Sequence, residues 1–188
     1  MKKVLTLILL TLSLASCSWV KATKEIKVFN KDNLINTKGS FYLIYPKNGF
    51  HESTFTGKLK ANPHSATEVV ATLRNGLSKR LGELTISESN TSIEQGFKDA
   101  KTKGSQYLID ITINEWRDAP SVLCSEHTLD TVDLTVFVYS VETKKLINKQ
   151  KIENKGCPVV FFNFIPIGTI SPEGRLSEML QKWLDNIS

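Results

Sequence analysis

Apolar and polar positions repeat along the chain with two different periods, and these periods predict its strands and helices. An uninterrupted apolar run ends at Pro46, as in a strand that is buried on both faces. After residue 106 the period becomes two, which is typical of strands with one face in the core. The predicted strands are residues 41–45, 84–86, 107–116, 131–141 and 146–152.

Three segments carry apolar residues at three- and four-residue spacing, which predicts amphipathic helices. Two of them begin with capping-box sequences, in which Ser65 and Ser92 are the predicted N-caps. Gly104 is expected to end the second helix, and Ser171 is expected to cap the third, with Pro172 in its first turn. The predicted helices run over residues 66–81, from 93 to the stop at 104, and over 172–187.

The order of these elements predicts one α/β (α+β) sandwich with helices covering a mixed sheet of about five strands, in the order β-α-β-α-β-β-β-α. We assign this single domain to residues 40–188. The mostly polar residues 17–39 are predicted to be a tether with a short strand around 26–29. Residues 47–63 are expected to form a long loop, and residues 158–170 are the most apolar segment of the domain.

The N-terminus has the pattern of a secretory signal peptide, which we assign to residues 1–16. Lys2 and Lys3 precede an apolar run of about eleven residues, too short to span a hydrocarbon core of about 30 Å as a helix. Leu14-Ala15-Ser16-Cys17 then resembles the lipobox of bacterial lipoproteins. The resemblance implies that the Cys17 thiol carries diacylglycerol, and that this cysteine becomes a new N-terminus with an N-linked acyl chain such as palmitate.

This lipid would make the membrane a permanent partner, because two or more acyl chains hold a protein on a bilayer whereas one binds only marginally. Position 18 is serine, where the inner-membrane retention signal of such lipoproteins is usually aspartate. The resemblance therefore implies an outer-membrane lipoprotein of the bacterial cell envelope that faces the periplasm.

The net charge and the cysteines indicate which kinds of partner and which covalent links to expect. The net charge of +5 becomes +3 without Lys2 and Lys3 (22 basic against 19 acidic groups), and the signs are mixed along the chain. Because no basic cluster stands out, this pattern excludes a nucleic-acid-binding protein. In an oxidising compartment Cys124 and Cys157 are expected to form a disulfide, and two free buried thiols are the alternative.

No metal, cofactor or nucleophilic site is expected. His51, His64 and His127 are far apart, and none belongs to a metal-binding motif. Cys124 and His127 with Cys157 would make a metal site only if the disulfide were absent, and they fall short of the four ligands of structural zinc. The phosphate-binding loops and the G-x-S-x-G nucleophile motif are absent from the sequence.

One enzymatic alternative rests on carboxylates that crowd two neighbouring predicted strands and their loop. A pair of them could serve an envelope hydrolase acting on glycan or peptide, since glycoside hydrolysis needs two carboxylates at a fixed separation. A solvated sheet face is the commoner reason for such residues. The residues are Asp110, Glu115, Asp118, Glu126, Asp130 and Asp133.

Aromatic residues give the favoured candidate site. If the isoleucines of 107–116 face the core, Trp116, Phe137 and Tyr139 fall on the opposite face of the sheet. Aromatic side chains on an otherwise polar face are typical anchors for a partner. The alternative is that the last helix or the 158–170 segment covers them, and this segment could also form the wall of a small-ligand carrier's pocket.

Four segments carry a resemblance to a known family: residues 41–46, the helix after Ser65, residues 106–109 and residues 132–141. Through them, residues 40–187 resemble domain-of-unknown-function family 4823, lipoproteins that are mostly from gammaproteobacteria. This family has no assigned activity, so the resemblance implies location and a single domain. The strand order also resembles periplasmic lipoprotein domains that act by protein contact. We therefore expect a non-enzymatic binding or scaffolding domain whose partner is an envelope protein or the cell wall.

Overall fold

The structure, a computed structural model, describes residues 23–30, 35–52, 59–119, 129–162 and 165–187, with residues 30, 52, 59, 159–162 and 165–169 described by their backbone alone. The described residues form ten strands and three helices. In chain order these are β1 (Thr23–Asn30), β2 (Ser40–Leu43), β3 (Phe50–Glu52), β4 (Leu59–Ala61), α1 (Ser65–Leu77), β5 (Glu83–Ile86), α2 (Ile93–Thr102), β6 (Tyr107–Arg117), β7 (Asp130–Ser140), β8 (Leu146–Gly156), β9 (Val159–Phe162), β10 (Ile165–Thr169) and α3 (Pro172–Ile187).

Eight of these strands form one mixed sheet with the order β1-β8-β7-β6-β2-β5, and β3 and β4 extend it beside β6. β2 runs parallel to β5 and β6, whereas β6, β7, β8 and β1 form an antiparallel series. β9 and β10 pair with each other as a separate hairpin. The predicted α/β sandwich with a mixed sheet is confirmed, and the sheet has eight strands instead of about five.

Helices cover both faces of this sheet unequally. α1 and α3 lie on one face, where Leu73, Leu134 and Trp183 are each no more than 2 % exposed in the main core. α2 covers part of the other face, where Ala100 packs with Leu108 in a smaller cluster. The two clusters follow from strand alternation, because successive side chains of a strand point to opposite faces.

The additional strands come from segments that the sequence analysis treated as tether and loop. Thr23–Asn30 is longer than the short strand expected around 26–29, and it pairs antiparallel with β8, so this part of residues 17–39 belongs to the sheet. β3 and β4 occupy parts of the expected 47–63 loop. Both are three-residue strands, too short to give a recognisable period.

The capping predictions have different outcomes at the three helices. Ser92 caps α2 as predicted, because its side chain accepts a hydrogen bond from the Gln95 N–H, and Gly104 follows with a φ of +69°. Ser171 caps α3, with its Oγ accepting from Gly174 N–H at 3.4 Å. The prediction for Ser65 is wrong, because it is the first residue of α1 and accepts from Gly49 N–H instead.

Candidate functional site

The candidate site lies on the face of β1, β8, β7 and β6 opposite α1 and α3, which we call the outer face. Cross-strand register assembles it from rows of residues that stand side by side. The half near the start of β1 carries charged side chains, and the half near the end of β1 carries aromatic side chains. We call Glu25, Lys27, Glu115, Arg117, Asp133, Lys151, Glu153 and Lys155 the charged half, and Phe29, Phe97, Phe137 and Tyr139 the aromatic patch.

Trp116 is not part of this patch, so its predicted place is wrong. The pairing of β6 with β7 shifts register between Ile113 and Glu115. An irregularity of this kind reverses the facing of the residues that follow. Trp116 therefore points into the main core, where it is 0 % exposed, and its indole Nε1 donates a 2.6 Å hydrogen bond to Glu68.

Phe137 and Tyr139 do lie together on the outer face, as the alternation of β7 predicts. Their rings are stacked at a centroid distance of 6.5 Å, and both side chains are half-buried. On β1, the Phe29 side chain is 59 % exposed. The Nζ of Lys149 lies 5.3 Å from the ring centroid of Phe29 and 5.3 Å from that of Phe137, so one ammonium group joins the two rings across β8.

Helix α2 adds one ring to the patch. Phe97 meets Tyr139 edge to face at 5.7 Å, and the Nζ of Lys144 lies 5.9 Å from the Phe97 centroid. Phe29 and Phe97 were not among the residues predicted for the site. The signal for Phe29 was its position two residues after Lys27 in β1, which places both side chains on one face.

Four carboxylates form a single row across the charged half. Glu25, Glu153, Asp133 and Glu115 are paired in register from β1 to β6. Like charges directly opposite one another destabilise a sheet unless cations lie between them. Lys151 supplies such a cation, because its Nζ is 3.0 Å from Asp133 and 3.1 Å from Glu153.

The next row of the charged half is basic and completes the neutralisation. Lys155 Nζ lies 3.5 Å from Glu153 and 3.7 Å from Glu115, and Arg117 also donates a hydrogen bond to Glu115. Burial raises the pKa of Glu153, but the hydrogen bonds and charges of Lys151 and Lys155 more than offset it, so this pKa lies below its ordinary value. Glu115, Asp133 and Glu153 thus lie inside a network of the chain's own cations.

Of the other carboxylates considered for hydrolysis, the three that the structure describes lie in different surroundings. Asp130 is buried at the start of β7, where it accepts a 2.8 Å hydrogen bond from Ala119 N–H and lies 3.7 Å from Arg175 Nε. Asp110 is half-buried on the outer face, and burial raises its pKa. Asp118 is exposed, and Glu126 lies outside the described residues.

A groove of about 850 Å³ adjoins the aromatic patch, at the end of the sheet opposite the charged half. It lies between the end of α2, the start of β6 and the turn from β7 to β8. Phe97 belongs both to the patch and to the wall of this groove, so the two surfaces are continuous. We call it the basic groove, because Lys98, Lys101 and Lys144 line it.

The remaining sequence predictions concern cysteines and metals. Cys17, Cys124 and His127 lie outside the described residues. Cys157 is disulfide-bonded, and its pairing with Cys124 stays a prediction. Within the described ranges, no group of three or more His, Cys, Asp or Glu side chains is arranged to hold a metal ion.

Comparison with known proteins identifies the fold. No family model and no curated protein matches the sequence. Among solved structures, the PelC dodecamer from Paraburkholderia phytofirmans has a TM-score of 0.63 at 10 % identity, covering 88 % of this chain and 97 % of that one. The chain shares the fold of PelC.

Two further solved structures match the chain with lower TM-scores. Protein XCC0632 of the DUF330 family from Xanthomonas campestris has a TM-score of 0.51 at 9 % identity, covering 86 % of this chain and 90 % of that one. Lipoprotein GNA1162 from Neisseria meningitidis has a TM-score of 0.49 at 14 % identity, covering 79 % and 96 %. In the parts of the chain that the structure describes, no helix has the length and apolar character needed to cross a membrane.

Proposed function

We propose that the protein is an outer-membrane lipoprotein of the bacterial periplasm that binds an envelope protein or the cell wall through its aromatic patch, without catalysing a reaction. The sequence Leu14 to Cys17 supports the anchor, and the resemblance to domain-of-unknown-function family 4823 supports the same location. The outer face supports the binding role.

The anchor would hold the domain close to the bilayer. Thr23, the first residue of β1, follows Cys17 by six positions. At about 3.3–3.6 Å per residue, that connection spans at most about 20 Å. Because β1 starts at the charged half and ends at the aromatic patch, the patch is the half farther from the anchored end.

One observation carries the binding role: Phe29 presents an exposed ring on the same sheet face as the stacked rings of Phe137 and Tyr139. Asp110, in register with Phe137, is the carboxylate that borders this part of the face. Aromatic side chains are enriched at the cores of protein interfaces, where a few residues supply most of the binding energy. Lys149 adds a positive charge to this centre. The patch thus combines apolar area with a cation, which suits a partner that carries both apolar and acidic groups.

A hydrolase has less support from the same face. A glycosidase needs two carboxylates of different protonation state across one cleft. Glu115, Asp133 and Glu153 are instead matched with cations. Asp110 has the raised pKa of a general acid, but the cause of the shift is burial and not a neighbouring carboxylate. Of the proposed small-ligand wall, residues 158–170, positions 159–169 have no described side chains.

Co-purification of the full-length lipoprotein tests this function. After detergent solubilisation, the wild type should retain a partner that Phe137→Ala loses, because the substitution removes a ring from the centre of the patch. Glu25→Gln in the charged half is the matched control and should retain the partner. Equal recovery with all three forms would contradict binding through the patch.

The same experiment reports on self-association. PelC is a dodecamer in its solved structure, so a second copy of this chain is the competing occupant of the patch. Mass measurement of the purified complex separates the two cases. An assembly that contains this chain alone, and that dissociates with Phe137→Ala, would replace the envelope partner by a homo-oligomer.

A further inference from the structure

We propose that the basic groove binds an acidic segment of the same partner protein whose apolar groups contact the aromatic patch. This inference rests on the proposed function, and it adds the chemistry of the partner. It is carried by the charge of the groove, by the cations that lie on the aromatic rings, and by the position of the groove in the fold.

The charge of the groove is one-sided. Lys98, Lys101 and Lys144 line it and are exposed, and the one carboxylate among its described lining residues is Glu142. None of the three lysines forms an ion pair with a carboxylate of the described residues. Their charge is therefore available to a ligand, in contrast to the matched lysines of the charged half.

The turn from β7 to β8 holds one of these lysines in place. Lys144 has a φ of +57°, a left-handed backbone conformation that few non-glycine residues adopt. This conformation belongs to a turn in which Lys145 N–H donates to Thr143 Oγ1 and Ser140 N–H donates to Lys145 O. The Lys144 ammonium group lies 5.9 Å from the Phe97 ring centroid, at the junction of groove and patch.

The cations on the rings favour acidic side chains over sugars. A sugar stacks on an open aromatic face, but the Phe97 ring carries Lys144, and the Phe29 and Phe137 rings share Lys149. Ammonium groups over rings are suited to carboxylates that have apolar neighbours. Acidic peptide segments bound by basic clusters are an established mode of recognition.

The position of the groove favours a protein over lipid head groups. The groove lies where β6 begins and β7 ends, whereas β1 starts at the other end of the sheet. The eleven residues of β7 separate the two ends by about 35 Å. The connection between Cys17 and Thr23 reaches at most about 20 Å, so the groove lies farther from Thr23 than the anchor does.

Photo-crosslinking of the full-length lipoprotein in living cells tests the inference. A photoreactive phenylalanine analogue replaces Glu142 in the exposed turn beside the groove, and a second form carries it in place of Phe29. The expected adduct at Glu142 is a peptide of another envelope protein with more acidic than basic residues. Combined Lys98→Glu, Lys101→Glu and Lys144→Glu should lower its yield by about tenfold or more.

The matched control reverses three exposed lysines that lie away from the groove: Lys60, Lys79 and Lys182. Its net charge is the same, and its crosslinking yield should stay within about twofold of wild type. A neutral or basic peptide, a glycan, a lipid or a second copy of this chain at Glu142 would overturn the inference, as would equal loss in the control.

The two sites separate failure of the inference from failure of the proposed function. Partner adducts at Phe29 with none at Glu142 would leave the aromatic patch as a binding surface and remove the groove from it. Absence of adducts at both positions would remove both.

Discussion

Two lysines on one strand show how the halves of the outer face differ. Lys151 lies between Asp133 and Glu153, and its charge is matched at distances of 3.0 and 3.1 Å. Lys149, two residues earlier on β8 and on the same face, has its ammonium group between two aromatic rings. The residue type and the strand are the same, so the neighbouring strands decide what each lysine can do.

This difference separates a structural surface from a binding surface. An ion pair within the chain already uses the attraction that a partner would need, whereas a cation over a ring gains about 0.5–1 kcal/mol at an exposed site and keeps its full charge. The charged half should therefore matter for folding, and the aromatic patch for association.

Substitution of Trp116 should have the largest effect on the free energy of unfolding, because its side chain lies in the main core and not on the outer face. Trp116→Ala should lower the free energy of unfolding by about 3–5 kcal/mol, since a fully buried indole is removed from the core. Trp116→Phe should lower it by about 1–3 kcal/mol through the lost hydrogen bond to Glu68. Urea unfolding measures both. A loss below about 1 kcal/mol for the alanine variant would place the indole at the surface.

Phe29 gives the largest expected effect on association. Phe29→Ala should weaken partner binding by about 2 kcal/mol, or roughly thirtyfold, because the ring is exposed beside the cation of Lys149. Glu25→Ala, on the same strand and the same face, is the comparison and should change affinity by less than about 0.5 kcal/mol. Titration of the purified complex measures both. Equal losses would erase the distinction between the halves.

The two lysines themselves should differ in their effect on folding. Lys151→Met should lower the free energy of unfolding by about 1 kcal/mol, because it leaves the row of carboxylates without its nearest cation. Lys149→Met should change it by less than about 0.5 kcal/mol, because a methionine thioether makes a contact with the aromatic rings of similar strength to that of the ammonium group. Chemical unfolding at low and high salt compares them, and the Lys151 effect should shrink at high salt. A larger effect for Lys149 would reverse the comparison.

Substitution of Asp110 should have the smallest effect on the free energy of unfolding, and this effect should depend on pH. Burial raises the pKa of this carboxyl group, so its ionised form is less stable in the folded than in the unfolded chain. Asp110→Asn should therefore be the more stable protein at pH 7. Its advantage should decline as the pH falls through the folded pKa and disappear below the ordinary value of about 3.9.

Thermal unfolding across this pH range measures the effect of Asp110→Asn. Glu88→Gln, at an exposed position, is the control and should show no such advantage at pH 7. An advantage of Asp110→Asn that persisted at pH 3 would come from packing and not from ionisation.

The fold was predictable wherever a segment was long enough to show its period. The alternation of β6 to β8 and the spacing of α1 to α3 gave the element order, and Ser92 gave a correct cap. β3 and β4 have three residues each, so they carry no period and depend on pairing with neighbours. Ser65 matched a capping pattern, but its tertiary contact with Gly49 prevailed.

The site was predictable in part for a similar reason. Phe137 and Tyr139 follow the regular alternation of β7, so their facing could be inferred. Trp116 lies beyond the register shift of β6, and no local sequence pattern predicts this shift. The link between Phe29 and Phe137 through Lys149 depends on the strand order β1-β8-β7, which the sequence leaves open.

Chemical labelling of lysines tests the central claim most directly, because it needs no substitution in the wild-type sequence. Acetylation of intact cells and of the purified lipoprotein, followed by mass spectrometry, compares the accessibility of each lysine in the two states. We predict that Lys149 and Lys144 are protected in cells, while the exposed Lys79 and Lys182 react equally in both samples. Equal labelling of Lys149 in cells and in the purified protein would contradict a partner on the aromatic patch.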